Sequence, residues 1–254
     1  MAPRAAALAE LTWKTVKDAS YEVAVLPWGA TEAHNLHLPY GTDTIQSERV
    51  AEEAARLATE SGVGVVVLPA VPFGVNTGQL DVRLCLNMNP GTQALLLADL
   101  ADSVLRAGVR KLVILNGHGG NDFRQMIREL QPRTELFLCT LNWYTCVDPV
   151  AFFTTPGDHA GELETSVLMH LAPDLVLPLG EAGTGAARRF RVRGLREGWA
   201  WAPRQWTRVT DDTGVGDPAD ATASKGERYF TAVTRRIAEF LTELSAADPG
   251  DMYE

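Results

Sequence analysis

The 254-residue sequence has only three cysteines, and their number and spacing indicate a reducing compartment. Cys85, Cys139 and Cys146 are odd in number and lack the close spacing of a metal site. Such thiols are typical of a reducing cytoplasm, where they lie in or near the core. The first ten residues contain no long apolar run and already include Glu10, so they do not predict a signal peptide. We therefore expect a cytoplasmic protein.

Long apolar runs and an excess of positive charge are also lacking. No run of about 18 apolar residues occurs, so the sequence predicts no membrane-spanning helix. Lysine and arginine number 23 against 32 acidic residues, which gives a formal net charge of −9. An acidic chain repels phosphate backbones, and we expect neither nucleic acid nor membrane as a partner.

The motifs of several large enzyme classes are missing as well. No Gly-x-Ser-x-Gly occurs, which argues against a serine hydrolase. Gly117 and Gly119 begin a dinucleotide-like pattern, but Asp122 stands where the third glycine is needed. The Gly-Lys-Ser/Thr ending of a mononucleotide loop is also absent.

What the sequence does contain is an alternation of strand and helix patterns, without repeats or a clear linker. The predicted strands cover residues 22–27, 64–68, 111–115 and 135–141, and the predicted helices cover residues 44–61, 90–107, 122–130, 162–171 and 221–244. This order predicts an α/β fold of three layers, α/β/α, with a mostly parallel central sheet. The length favours a single domain over residues 1–254. Ligands of such sheets bind beyond the carboxyl ends of the strands.

Four of the five histidines, His34, His37, His118 and His159, lie in polar or glycine-rich segments outside the regular elements. The fifth, His170, lies within a predicted helix and is expected to be structural.

The first of these segments runs from Trp28 to Asp43. Glu32 and His34 are two residues apart, so in an extended stretch their side chains point the same way. A carboxylate and an imidazole so placed suit Zn or Mn. Asp43 comes just before a predicted helix, and capping that helix is an alternative role for it.

Two further segments continue the pattern. His118 lies among glycines, which let the backbone turn sharply and leave little side chain for a histidine to pack against. His159 lies in a loop, and Glu164 follows in the first turns of a helix. The helix dipole accounts for one of Glu162 and Glu164, but not for the histidine beside them.

Charge balance favours a metal centre over simple acid–base chemistry. Glu32, Asp43 and Glu164 would bring three negative charges together beside neutral His34 and His118. Such a cluster would raise its own pKa values steeply. Two divalent cations and a bound hydroxide would nearly balance it, so the sequence predicts a two-metal site.

These three segments resemble the signatures of the creatininase (creatinine amidohydrolase) family. They read Glu-Ala-His-Asn-Leu-His-Leu-Pro-Tyr-Gly-Thr-Asp at 32–43, Asn-Gly-His-Gly-Gly-Asn at 116–121 and His-Ala-Gly-Glu-Leu-Glu-Thr-Ser at 159–166. The resemblance spans about residues 10 to 245. It implies a compact α/β/α fold, two divalent ions of Zn and/or Mn with Fe as another possibility, a small-molecule substrate and a homo-oligomer, commonly a hexamer.

Residue roles follow from the resemblance by position. It implies that Glu32, Asp43 and His118 hold one metal, and that His34 and the bridging Asp43 hold the second. His159 would be the acid/base that serves the leaving nitrogen, and Glu164 would lie near the reacting centre.

Two positions depart from creatininase itself. Gly120 replaces a glutamate that binds the second metal, and Thr155 replaces a tryptophan that closes over the substrate. We therefore expect Glu164 to lie within direct or one-water reach of the second metal, and creatinine to be a poor substrate.

The resulting prediction is an amidohydrolase that cleaves a C–N bond of a small amide, cyclic amide or formamide, other than an ordinary peptide bond. The metals would lower the pKa of a bridging water to about 7, and His159 would protonate the departing nitrogen. A lactonase or peptidase on the same scaffold is an alternative. A non-catalytic protein that binds a small molecule, such as a nucleotide or sugar phosphate, is a further one.

The segment 188–207 is rich in arginine and tryptophan, with Trp199, Trp201 and Trp206 among them. Both residue types are enriched at subunit contacts, which favours an interface. A lid over an acidic or planar substrate is the alternative role.

Overall fold

The computed structural model describes residues 6–155 and 157–253. The strands are β1 Val23–Trp28, β2 Val65–Val67, β3 Lys111–Asn116 and β4 Phe137–Asn142. The helices are α1 Trp13–Val16, α2 Thr42–Glu60, α3 Pro90–Arg106, α4 Arg124–Leu130, α5 Glu162–Leu171, α6 Arg193–Glu197, α7 Trp206–Val209 and α8 Ala223–Ala246. Short 3-10 helices cover Leu8–Glu10, Thr77–Gln79, Gln131–Arg133, Trp143–Thr145, Pro149–Ala151, Pro173–Leu175 and Leu179–Glu181.

The four strands of the described residues form one parallel sheet in the order β2-β1-β3-β4. Every residue of β1 and of β3 is buried. Continuous apolar runs are typical of parallel strands that are covered on both faces. The predicted α/β fold with a parallel central sheet is therefore confirmed.

Successive residues of β1 face two different cores because side chains alternate across a strand. Val23 and Val25 pack in one core with residues of α2, α5 and α8, whereas Ala24 and Leu26 pack in the other with residues of α3. Phe123, just before α4, joins this second core. The sheet is thus the middle layer of the predicted three.

Helix α2 begins earlier than predicted, and this changes the interpretation of Asp43. The helix starts at Thr42 after Gly41, so Asp43 lies in the first turn rather than before the helix. Asp43 therefore does not cap α2, and its carboxylate is free for another role. The predicted helix 122–130 starts two residues late, at Arg124.

The five predicted helices and four predicted strands all occur, with boundaries shifted by at most two residues. The short helices α1, α6 and α7 were not predicted, since four or five residues are too few to show helical periodicity. Within the described parts of the chain, no helix has the length and hydropathy needed to cross a membrane.

Helix α8 packs against α2 and α5, and at one point it touches backbone directly. A Cβ atom at Gly226 would lie 1.9 Å from the carbonyl oxygen of Ser166 and 2.8 Å from the nitrogen of Val167. Glycine is therefore required where α8 crosses α5. The contact fixes α5, whose first turn carries Glu164, against the rest of the fold.

Gly226→Ala should lower the free energy of unfolding by about 1–3 kcal/mol, because the methyl group overlaps the α5 backbone. Gly91→Ala is the matched control, since a Cβ at Gly91 in α3 meets no described atom within 4 Å. The control should raise the free energy by about 0.4–1 kcal/mol. Urea unfolding measures both values, and equal values for the two variants would contradict the contact.

Candidate metal centre

The three signature segments meet beyond the carboxyl ends of β1 and β3. The register pairs Trp28 with Asn116, so the loops that follow the two strands leave the sheet at the same level. The first loop carries Glu32 and His34, and the second carries His118. The start of α5 brings Glu164 to the same place, as the parallel sheet predicts for a ligand site.

The first group of ligand atoms belongs to Glu32, Asp43 and His118, all buried. His118 Nδ1 lies 2.9 Å from Glu32 Oε1 and 3.0 Å from Asp43 Oδ2. Ligands at about 2.1 Å from one zinc ion lie about 3.0–3.4 Å from each other. Asp43 Oδ2 is buried, and among the described residues no donor, His118 Nδ1 included, meets it with the geometry of a hydrogen bond. The spacing and the unpartnered oxygen both fit a metal ion.

The second group belongs to His34, Asp43 and Glu164, whose ligand atoms lie within 4.8 Å of one another. His34 Nε2 lies 2.9 Å from Asp43 Oδ1. Asp43 thus directs one carboxylate oxygen to each group. Its position fits a bridge between two ions.

Backbone carbonyls orient the three imidazoles. His34 Nδ1 lies 3.1 Å from the oxygen of Glu32, His118 Nε2 lies 3.1 Å from the oxygen of Val75, and His159 Nε2 lies 2.8 Å from the oxygen of Ala33. A carbonyl accepts only an N–H, so each neutral ring would present its other nitrogen, as a lone pair, to the carboxylates. Metal-binding histidines in proteins are commonly oriented in this way.

His159 lies at the edge of the cluster. Its Nδ1 is 3.7 Å from Glu32 Oε1, and its ring centroid is 4.3 Å from that of His34. Trp206 packs edge-on against the other side, with ring centroids 4.6 Å apart. Glu32, His34 and His159 form a third group of possible ligands, so geometry allows His159 either to bind a metal or to act beside one.

The electrostatics show how strongly this cluster attracts positive charge. Burial lowers the pKa of His34, but Asp43 together with Glu164 and Glu32 outweighs burial and raises the pKa to about 10. The pKa of His118 is also raised, because Glu32 and Asp43 outweigh its burial. Without another cation the carboxylates hold protons on these rings, and a divalent ion would take their place.

Glu164 differs from the other two acids. Burial raises its pKa, and the nearby His34 and His159 only partly oppose the effect. Asp43 and Glu32 have lowered pKa values, because histidines outweigh the effect of burial. Glu164 is thus the acid of the cluster whose burial the histidines do not fully offset.

Glycines bring the loops close enough to form this cluster. A Cβ at Gly117 would lie 2.0 Å from Ser47 Oγ and 3.0 Å from the oxygen of Asp43. The loop that carries His118 can therefore approach α2 only with glycine at this position. A Cβ at Gly120 would lie 2.2 Å from the oxygen of Val75, the atom to which His118 Nε2 is hydrogen-bonded. A side chain at this position would therefore displace that hydrogen bond.

Sequence reasoning missed residues that support the centre from other segments. Gln79 donates its amide to Glu32 Oε2, and Val75 supplies the carbonyl that orients His118. Both lie between β2 and α3, where the residues form no recognisable ligand pattern. His37, left unassigned, hydrogen-bonds through Nε2 to Thr165 Oγ1 at 2.9 Å, beside the cluster rather than in it.

The remaining predicted features lie away from the ligands. His170 packs against Phe230 with ring centroids 5.5 Å apart, which fits the expected structural role. All three cysteines are half-buried. Segment 188–207 is divided, because Trp206 reaches His159 whereas Trp199 and Trp201 are 76% and 84% exposed.

Known proteins share both this fold and this sequence. The creatininase family model, described as creatinine amidohydrolase, matches residues 9–241. A mycofactocin precursor peptide peptidase of Mycobacterium tuberculosis is 34% identical over 236 residues, which is 86% of each chain.

Solved structures agree with these sequence matches. The crystal structure of a candidate creatinine amidohydrolase from Bacteroides fragilis has a TM-score of 0.94 and 45% identity, with 99% of each chain covered. Two creatininase structures, a variant of Zn-Zn type and a manganese form, have TM-scores of 0.79 and 0.76 at 23% identity. Each covers 95% of this chain and 99% of its own.

Zinc should stabilise the folded chain, because the ligand groups are assembled only in the native state. At a free zinc concentration of a hundred times Kd the gain is about 2.7 kcal/mol. For a chain of this length the gain corresponds to a rise in Tm of about 5–10 °C, measured by differential scanning fluorimetry.

Asp43→Ala should lose most of this shift, because both ligand groups include Asp43. Asp122→Ala removes an exposed acid of the His118 loop and should keep the shift. An undiminished shift in Asp43→Ala would show that zinc binds elsewhere.

Proposed function

The chain belongs to the creatininase family, and we propose that it is a metal-dependent amidohydrolase that cleaves a C–N bond of a small amide, cyclic amide or formamide. Membership makes it a hydrolase rather than a non-catalytic binding protein. One observation carries the proposal: three carboxylates and three imidazoles meet at the carboxyl edge of the sheet.

Two divalent ions are the cofactor that this donor set fits. Glu32 and His118 would hold one ion, His34 and Glu164 would hold the other, and Asp43 would contact both. Oxygen and imidazole ligands suit zinc or manganese, the metals of the two creatininase structures. When bound, such ions supply a nucleophilic hydroxide at neutral pH and polarise the substrate carbonyl.

His159 is placed to move the proton. Its Nε2 is held by the carbonyl of Ala33, so Nδ1 is the atom that gains and loses the proton. Glu32 lies on one side of this nitrogen, and Trp206 packs against the ring. In the proposed reaction Nδ1 accepts a proton from the attacking water and gives it to the departing nitrogen.

Glu164 would supply the carboxylate ligand of the second metal that Gly120 cannot provide. Glycine offers no ligand atom, and the space beside it is filled by the hydrogen bond from His118 to Val75. The backbone N–H of Ala160 donates to one oxygen of Glu164, which fixes the carboxylate in the first turn of α5. Catalytic metals usually have about three protein ligands, and Glu164 would complete that number for the second ion.

A peptidase is a second candidate, favoured by one specific observation. The Mycobacterium tuberculosis relative, 34% identical over 86% of the chain, is a peptidase of the mycofactocin precursor. The same centre would cleave a peptide C–N bond, since the reacting group is again an amide. Substrate size would then distinguish the two candidates.

The oligomeric state stays a prediction. Exposed Trp199 and Trp201 in segment 188–207 support a contact between copies, whereas Trp206 serves the centre of its own chain. Both roles proposed for the segment can therefore be combined in one homo-oligomer, a hexamer by family resemblance.

Substitutions should separate metal binding from proton transfer. Asp43→Ala should lose both ions, because it bridges, and His34→Ala should lose mainly one. His159→Ala should keep both ions but lose about 10²- to 10⁴-fold in turnover. Elemental analysis and steady-state kinetics give the two readouts.

His170→Ala is the control for the removal of an imidazole, since His170 lies in the last turn of α5, where it packs against Phe230 outside the cluster. Its metal content and turnover should stay near those of the unaltered protein. The role of His159 would be wrong if His159→Ala lost metal as readily as Asp43→Ala.

Creatinine should be a poor substrate. Thr155 cannot close over a small ring as a tryptophan could, and its backbone is held to Glu162 at 2.7 Å. We expect slow or undetectable turnover of creatinine, and faster turnover of a larger amide, lactam, formamide or short peptide by the metal-loaded enzyme. Creatinine turnover as fast as that of any amide tested would contradict this, and faster turnover of lactones would favour a lactonase.

A further inference from the structure

Tyr144 lies beside the loop that carries His118, and the proposed mechanism does not yet use it. It lies in the 3-10 helix Trp143–Thr145, directly after β4. The register pairs Asn142 of β4 with Asn116 of β3, so Tyr144 and His118 are each two residues beyond the paired positions. The side-chain amide of Asn116 also donates to Asn142 Oδ1 at 2.9 Å, which ties the two loops together.

The hydroxyl of Tyr144 points toward the loop that carries His118. It lies 4.0 Å from the place where a Cβ of residue 119 would be. Residue 119 is an exposed glycine, so it places no side chain beside the phenol.

The backbone of Tyr144 is held firmly while its hydroxyl is left free. Tyr229 donates its hydroxyl to the oxygens of Tyr144 and Val147, at 2.9 and 3.2 Å. The ring of Trp143 packs edge-on at 5.9 Å. Within the described residues the hydroxyl of Tyr144 has no hydrogen-bond partner, yet it is not among the fully buried polar atoms. A fixed side chain with an unused donor is preorganised to bind an incoming acceptor.

The protonation state of Tyr144 decides which kind of partner its hydroxyl takes. Burial raises the pKa of Tyr144 to about 12, and the acids Asp43, Glu164 and Asp158 act in the same direction. Even an unperturbed phenol keeps its proton at neutral pH, so Tyr144 is a donor. The carbonyl oxygen of an amide substrate is an acceptor that matches this donor.

We propose that the Tyr144 hydroxyl binds the substrate by donating a hydrogen bond to the carbonyl oxygen of the scissile amide. The inference rests on the proposed amidohydrolase function, and it adds a substrate-binding residue from the segment after β4 to those of the three signature segments. The bond would strengthen as negative charge develops on that oxygen.

Tyr144→Phe tests the proposal, because it removes the hydroxyl and no described hydrogen bond of the protein. With the zinc-loaded enzyme and its best amide substrate, kcat/KM should fall threefold or more, with about tenfold expected. Zinc content and Tm should stay unchanged. Tyr253→Phe, which alters a tyrosine that is 94% exposed, is the control and should match the unaltered enzyme in all three measurements.

A second readout does not depend on turnover. Acetohydroxamate, which carries a carbonyl oxygen and is not hydrolysed on the timescale of titration, should bind zinc-loaded Tyr144→Phe at least threefold more weakly by calorimetry. If the unaltered enzyme hydrolyses no amide, the proposed function fails while this titration still tests Tyr144. A smaller loss in both readouts, or a loss accompanied by loss of zinc, would overturn the proposal.

Discussion

The structure depends on the gathering of three carboxylates in one place, two of them buried and the third half-buried. Glu32 and Asp43 are each 1% exposed, and Glu164 lies beside them. Burying a charge is costly unless an opposite charge compensates it. Within the cluster that compensation comes from imidazoles, whose raised pKa values show that the site attracts positive charge beyond what neutral histidines supply. A pair of divalent cations, as proposed for this site, would supply that positive charge with fewer groups and would add chemistry.

The fold meets this requirement by placing loops from neighbouring strands side by side. The parallel register aligns the ends of β1 and β3, and Gly117 lets the second loop touch the helix that carries Asp43. Backbone carbonyls then orient the histidines, so the geometry does not rely on flexible side chains. Gly226 lies farther from the centre and also allows a close approach, because it lets α8 pack against the backbone of α5. This contact holds α5, which carries Glu164, in place.

Local pattern was enough to predict the sheet, its parallel direction and the long helices. The buried strand Lys111–Asn116 has a continuous apolar run at 112–115, and α8 has clear helical periodicity. The ligand candidates were also visible, because histidines beside glycines and acids are uncommon in loops. Their grouping around the shared Asp43 was inferred from charge balance and resemblance, and the structure brings the same residues together.

Long-range supports could not be predicted in the same way. Gln79 and Trp206 come from segments far apart in the chain, and neither forms a local motif with the residue that it contacts. The start of α2 at Thr42 was missed because no capping side chain marks it. Tyr144 follows a strand at the correct edge of the sheet, but a single tyrosine carries no signal until its neighbours are known.

Anomalous diffraction at the zinc edge, from crystals grown with zinc, tests the central claim most directly. The account predicts two peaks per chain, one beside Glu32 and His118 and one beside His34 and Glu164, with Asp43 contacting both. A single peak, or two peaks with Asp43 bound to neither, would contradict it.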